Sequence, residues 1–146
     1  MRTLLIFAAI AVGAASAADA QVRRPSARQP VPVLTGIDAL RADFLARTGS
    51  NTLYFGANSA LLGVPAKAVL TAQAAWLRRQ PAVVVQVEGY GDANNSRDHA
   101  LALGARRAAE VREYLIMLGV PSAQIAFTSW GKAKPSAGRA IVVLVR

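Results

Sequence analysis

The sequence predicts a single α/β domain, an α+β sandwich in which helices cover one face of a mixed sheet. Three observations predict it. Val83-Val84-Val85-Gln86-Val87 and Ala140-Ile141-Val142-Val143-Leu144-Val145 are nearly continuous apolar, β-forming runs, suited to covered strands. Between them, Leu101, Gly104, Ala108, Val111, Leu115 and Leu118 recur at intervals of three and four, the stripe of a long helix. Gly and Pro punctuate the chain so that the order becomes β-α-β-α-β-β after a short leading helix.

Taken in order, Arg2 precedes an apolar run, Leu4 to Val12, followed by small residues. Ala15-Ser16-Ala17 and Ala18-Asp19-Ala20 both fit an A-x-A cleavage pattern, so residues 1–20 are expected to be a Sec-type signal peptide. The run is shorter than the roughly 20 residues that span a bilayer. Export to the periplasm is expected, with no transmembrane segment after cleavage. No Cys follows the run, so lipid attachment through an N-terminal Cys is not expected. Residues 21–36 hold Pro25, Pro30 and Pro32 with Arg23, Arg24 and Arg28, the composition of an extended linker. The domain itself is assigned to 37–146.

Ile37, Leu40, Phe44 and Leu45 recur at helical spacing, and Gly49-Ser50 stops that helix. Thr52 to Phe55 is predicted as the first strand, ended by Gly56, with Asn58-Ser59 in the following loop. Pro65 suits the first turn of the next helix, where a missing N–H costs nothing. Val69, Ala72, Trp76 and Leu77 share one face of it, Arg78 and Arg79 close its last turn, and Pro81 ends it. Trp76 is expected in the core. After the Val83–Val87 strand, Gly89 to Ser96 is predicted as a turn. Gly119 and Pro121 end the long helix, and Ile125 to Trp130 forms a third strand before a basic loop, Gly131 to Ser136.

Composition narrows the function. Lys and Arg total 17 against 8 acids, a formal net charge of +9 that favours an anionic neighbour. The charges are dispersed, with no block of five basic residues, so nucleic-acid binding is not expected. One His and no Cys exclude Cys-containing zinc sites and disulfides. No nucleophile–base pair or pocketed carboxylate pair stands out, and neither an enzyme nor a cofactor is expected.

Two charges stand out in the stretch Glu88 to Leu118. The turn carries Asp92, and the helix carries Arg107 fifteen residues on. Together they suit a zwitterionic guest: a carboxylate accepts from an ammonium, and a guanidinium holds a carboxylate with two prongs, which Lys does less well. Each also has an ordinary use. Asp92 fits a turn residue accepting local N–H bonds, and Arg107 fits a surface partner of Glu110. Asn94 and Asn95 suit the turn itself, and His99 suits either its rim or a solvated first helical turn.

The stretch from Leu53 to Val145 resembles the OmpA-like C-terminal domain, a peptidoglycan-binding module. The matching pieces are YFGANSALL, AAWLRRQP, VEGYGD, LALGARRAAEVREYLIMLGVPSAQI, SWGKAKP and RAIVVLV, in that order. LGARRA and GKAKP look most like the peptidoglycan-associated lipoprotein branch. The resemblance implies that Asp92 and Arg107 hold the diaminopimelate side chain of the peptidoglycan stem peptide. It extends the candidate site to Gly91, Asn58 and Arg139. It also implies a Tol-system periplasmic protein as a second partner. Lys132 and Lys134 of the basic loop suit either contacts to anionic wall groups or exposed lysines that serve only solubility.

The chain departs from the family pattern at several places. Gly56 stands where Asp is usual, Gly91 where Thr or Ala precedes the turn acid, and Ala100 where Asn is usual. Ala137-Gly138-Arg139 replaces Asn-Arg-Arg. Weakened or altered wall binding is the expectation. The alternative is a domain of the same fold whose wall site has decayed and which now binds a protein of the envelope.

Overall fold

The structure, a computed structural model, describes residues 36–134 and 138–146. The expected signal peptide, the linker up to residue 35 and Ala137 lie outside the described residues. Three helices and four strands follow in order: α1 (Ile37–Thr48), β1 (Thr52–Tyr54), α2 (Val64–Arg79), β2 (Val85–Tyr90), α3 (Arg97–Met117), a 3-10 turn (Ser122–Gln124), β3 (Ile125–Gly131) and β4 (Arg139–Leu144). The sheet runs β1-β4-β2-β3, with β4 antiparallel to both neighbours and β2 parallel to β3. The α/β architecture expected from the apolar runs is the one observed.

Alternation along the strands separates the two faces of the sheet. Leu53, Val85, Val87, Ala140, Val142 and Leu144 are buried and share one core with Leu70 and Leu77 of α2 and Val111 and Leu115 of α3. Gln86, Glu88, Ile141 and Val143 alternate with them and are only half-buried. In α1, Phe44 stacks edge-on against Trp76 with centroids 5.1 Å apart. The Trp76 indole N–H donates to Asp43 at 2.7 Å, so this ring is core with one satisfied polar edge.

Several details differ from the sequence reading, and the larger ones have a physical reason. Gly89 and Tyr90 belong to β2 rather than to the turn, because Gly89 pairs with both Ser129 and Ala140. A Cβ on Gly89 would fall on the carbonyl oxygen of Gly104, so two bare glycines let α3 lie directly on β2. Val83 and Val84 precede the ladder, and Val84 instead exchanges hydrogen bonds with the C-terminal residues, donating to Arg146 at 2.7 Å and accepting from Val145 at 2.9 Å. Leu101 is 51% exposed, because α3 begins at Arg97 and its buried stripe is Ala100, Leu103, Gly104, Arg107, Ala108, Val111 and Leu115. Finally, β2 and β3 slip register at their ends: Gly89 pairs with Ser129 but Tyr90 with Gly131, leaving Trp130 as the extra residue of a bulge.

Candidate functional site

The turn from Gly91 to Ser96 leaves the end of β2 and opens α3. Ser96 caps the helix, its hydroxyl accepting from the His99 N–H at 3.2 Å. Within the turn, the Asn95 side chain accepts from the Asp92 N–H at 3.1 Å, and the Asn95 N–H donates to the Asp92 carbonyl at 3.2 Å. Gly91 is locked on three sides. It donates to Gly131 and accepts from Gly138 at 3.0 and 2.9 Å, and a Cβ there would sit 2.5 Å from the Ala100 backbone. Gly91 and Ala100, both departures from the family pattern, are thus a matched pair: the small residue of one makes room for the other.

Arg107 lies on the buried stripe of α3 and is completely enclosed. Its Nε donates to the Ser59 carbonyl at 2.8 Å, Nη1 to Tyr90 at 2.7 Å and Nη2 to Gly56 at 3.0 Å. Nη1 also lies 2.8 Å from Asp92 Oδ1, and the guanidinium sits 5.2 Å from the centroid of the Phe55 ring. One cation therefore ties the loop after β1, the end of β2 and the Asp92 turn to α3. A buried charge is tolerated only when so thoroughly partnered.

This arrangement corrects one expectation. All three guanidinium nitrogens already serve carbonyls of the same chain, and none of the residue reaches solvent. A free two-pronged fork for a guest carboxylate is not what Arg107 presents. It holds the Asp92 carboxylate instead, and Asp92 keeps 20% of its side chain exposed.

Around Asp92 lies a polar rim. Asn58 adopts a left-handed backbone (φ 55°), which Asn accepts more readily than most residues, and its N–H donates to Asp92 Oδ2. Its side-chain oxygen accepts from Asn95 at 3.3 Å and lies 2.8 Å from His99 Nε2. Partial burial pushes the Asp92 carboxyl up, but contact with Arg107, the Asn58 amide and the Arg107 and His99 charges outweigh it and hold the carboxyl below its ordinary value.

Asp92, Arg107, Gly91 and Asn58 are thus brought together. Arg139 is not. It precedes buried Ala140 on β4, so its side chain projects from the other face of the sheet, 5.6 Å from the Tyr54 ring centroid. Its Nε is buried with no hydrogen-bond partner among the described residues. The same face holds Glu88, which accepts from the Tyr90 hydroxyl at 2.6 Å; burial first, then Glu88, pushes the Tyr90 phenol well above its ordinary value. Gly56 contributes its carbonyl to Arg107, a role that needs no side chain, so the loss of the usual Asp leaves this contact intact. The sequence reading missed that Arg107 is in phase with the stripe, three residues after Gly104 and four before Val111, which was visible in the spacing. Among the described residues no group of three His, Cys, Asp or Glu could hold a metal, and no helix is long and apolar enough to cross a membrane.

Comparison with known proteins agrees with this architecture. Residues 54–141, more than half of the chain, match the OmpA family. The chain is 40% identical over 95 residues to the peptidoglycan-associated lipoproteins of Rhizobium meliloti and of Agrobacterium fabrum, covering 65% of this chain and 53% of each of those. It therefore spans about half the length of these curated relatives. The crystal structure of the peptidoglycan-associated lipoprotein from Burkholderia pseudomallei superposes with a TM-score of 0.64 at 30% identity, over 66% of this chain and 92% of that one. The C-terminal domain of Helicobacter pylori MotB shares the fold, with a TM-score of 0.59 at 22% identity over 65% of this chain and 84% of that one. The chain belongs to the OmpA family.

Proposed function

We propose that this chain is a non-catalytic, periplasmic cell-wall-binding domain that receives the diaminopimelate tip of a peptidoglycan stem peptide at the Asp92 turn. One observation carries the reading: a carboxylate at the surface is fixed by a fully buried guanidinium and ringed by Asn58, Asn95 and His99. Asp92 is the contact residue. Each carboxylate oxygen has lone-pair capacity beyond the single contact it makes here, so an ammonium can be accepted without breaking the pair. Arg107 is the positioning residue. It keeps Asp92 ionised and oriented. Because these groups are held before a guest arrives, little ordering is left to oppose binding.

The test is retention on purified diaminopimelate-type sacculi at low salt. The wild-type chain should sediment with them, and Asp92→Ala should stay in the supernatant while remaining folded. Wild-type protein left in the supernatant would refute the reading.

A second reading is a protein-docking module of the envelope, with a Tol-system periplasmic protein as the expected partner. It draws on Tyr54, Leu61 and Val64, which are 68%, 80% and 82% exposed. Tyr54 lines an apolar groove of about 280 Å³ between β1 and the start of α2, and Val64 stands in the chain between two more of its lining residues, Gly63 and Pro65. Asp92→Ala should leave such docking untouched, whereas Val64→Glu should abolish it.

A further inference from the structure

We propose that the exposed face of α2, together with the loop that leads into it, rests on an anionic lipid surface; the inference goes beyond the wall-binding reading and needs no guest at Asp92. Charge sets this region apart in the sequence. From Phe44 to Val87 the chain has no Asp or Glu, while Arg47, Lys67, Arg78 and Arg79 are basic. Arg47 pairs with Asp43 within α1. The other three cations all belong to α2 and are exposed.

Three features give the face its chemistry. Val64, Ala68, Thr71 and Ala75 are exposed and recur at intervals of four and three, so they line one stripe of α2. None carries a charge, and the one hydroxyl among them donates to the Lys67 carbonyl at 2.8 Å. Lys67 stands near one end of the stripe, and Arg78 and Arg79 near the other. Leu61 and Val64, 80% and 82% exposed, protrude where the loop enters the helix. That loop has a fixed base: Arg107 holds the carbonyls of Gly56 and Ser59, and Asp92 accepts from the Asn58 N–H. Two aliphatic side chains are therefore presented on a backbone that loses little freedom on binding.

Charge selects the occupant. Two copies of this face would set cation against cation, which disfavours a second copy of the chain. An anionic surface attracts all three cations, and the stripe between them carries no acid to oppose it. An acidic protein would meet the same cations, but a bilayer also offers Leu61 and Val64 an apolar phase to enter. The contact is interfacial: α2 lies along the surface while Ala66, Leu70, Ala74 and Leu77 on its other side stay in the core.

The experiment uses the chain after the expected cleavage, residues 21–146, with vesicles of phosphatidylglycerol and phosphatidylcholine, and of phosphatidylcholine alone. The chain has no Cys, so Leu61→Cys and Ala126→Cys each take one environment-sensitive fluorophore. Ala126 is exposed on β3, at the opposite edge of the sheet from β1. The protein should pellet with the anionic vesicles at low salt, be released by high salt, and stay in the supernatant with phosphatidylcholine alone. The probe at 61 should shift to the blue on anionic vesicles and the probe at 126 should not, which separates this face from the basic residues at 23, 24 and 28. Lys67→Gln should weaken binding about fivefold, the scale of one cation at a charged surface. Arg112→Gln, which removes a cation beside β3, should change it less than about twofold. Val64→Glu should abolish pelleting without lowering the melting temperature. Failure to pellet with anionic vesicles, a probe at 61 that keeps its solvent-exposed emission, or equal losses for Lys67→Gln and Arg112→Gln would overturn the proposal. Retention on immobilised polyglutamate but not on vesicles would assign the face to an acidic protein and overturn it as well.

Discussion

Arg107 and Asp92 are paired at 2.8 Å, yet the guanidinium is wholly enclosed and the carboxylate is 20% exposed. That asymmetry sets different consequences for removing each. Arg107→Ala strands a partly buried carboxylate and three carbonyls, those of Gly56, Ser59 and Tyr90. Breaking a buried pair in this way costs about 3–5 kcal/mol. Asp92→Ala leaves the enclosed cation its three carbonyls but no counter-charge, which also costs about 3–5 kcal/mol, without the stranded carbonyls and lost side-chain volume that Arg107→Ala adds. Urea unfolding should rank the two in that order. Arg107→Lys should fall nearer Ala than wild type, because a single ammonium cannot reach acceptors on three segments.

The same pair makes stability depend on pH. The folded Asp92 carboxyl lies below its ordinary value, for the reasons of contact and charge given above. A depressed carboxyl contributes stability that is present above the unfolded value, about 3.9, and is lost as pH falls through the folded one. Tyr90 acts with the opposite sign. Its phenol is raised by burial and by Glu88, so its contribution is present below the unfolded value, about 10, and declines as pH rises beyond it. Stability measured against pH should fall at both ends. Asp92→Asn should flatten the acid limb and Tyr90→Phe the alkaline limb, each leaving the other in place.

Gly104 tests the contact between α3 and the sheet. Replacing Gly by Ala within a helix ordinarily gains about 1 kcal/mol. Here the added Cβ would meet the Ser129 hydroxyl and lie 2.8 Å from the Gly89 carbonyl oxygen. The hydroxyl can turn away, but doing so gives up its bond to the Leu101 carbonyl at 2.7 Å. Overpacking of this kind costs about 1–3 kcal/mol, so the net change should be destabilising. A lower melting temperature for Gly104→Ala is the expected outcome. Gly89→Ala should be worse, because its Cβ meets backbone that cannot rotate aside.

These residues also show what the sequence made legible. Periodicity located the helices and strands because burial of one face leaves a repeating apolar mark, as in Val85, Val87, Val142 and Leu144. Arg107 was identified from the family pattern, but its burial was read wrongly, since a charge on an apolar stripe looks like a break in it. The contacts of Asn58 with Asp92, Asn95 and His99 join residues 34 to 41 positions apart, and no local pattern encodes them. The bulge at Trp130 escaped for a similar reason: register between β2 and β3 is a property of the pair of strands. Arg139 was expected in the site on resemblance alone. Strand alternation against buried Ala140 sends it to the opposite face.

Asn58 separates the backbone requirement of the rim from its chemistry. Its φ of 55° is a left-handed conformation that Gly takes without strain and that costs Ala about 1–2 kcal/mol. Its N–H would still reach Asp92 in either variant, because that bond belongs to the backbone. Only the side-chain contacts to Asn95 and His99 are removed. Asn58→Gly should therefore unfold within about 1 kcal/mol of wild type, while Asn58→Ala should be the less stable of the two. Without Asn58 Oδ1, the Asn95 amide loses a partner and orients the Asp92 turn less firmly. Sacculus retention should drop several-fold in both variants if the rim side chains position the guest. If Asn58→Gly were retained as well as wild type, the turn and Asp92 alone would suffice, and Asn58 would be a backbone hinge with no part in recognition.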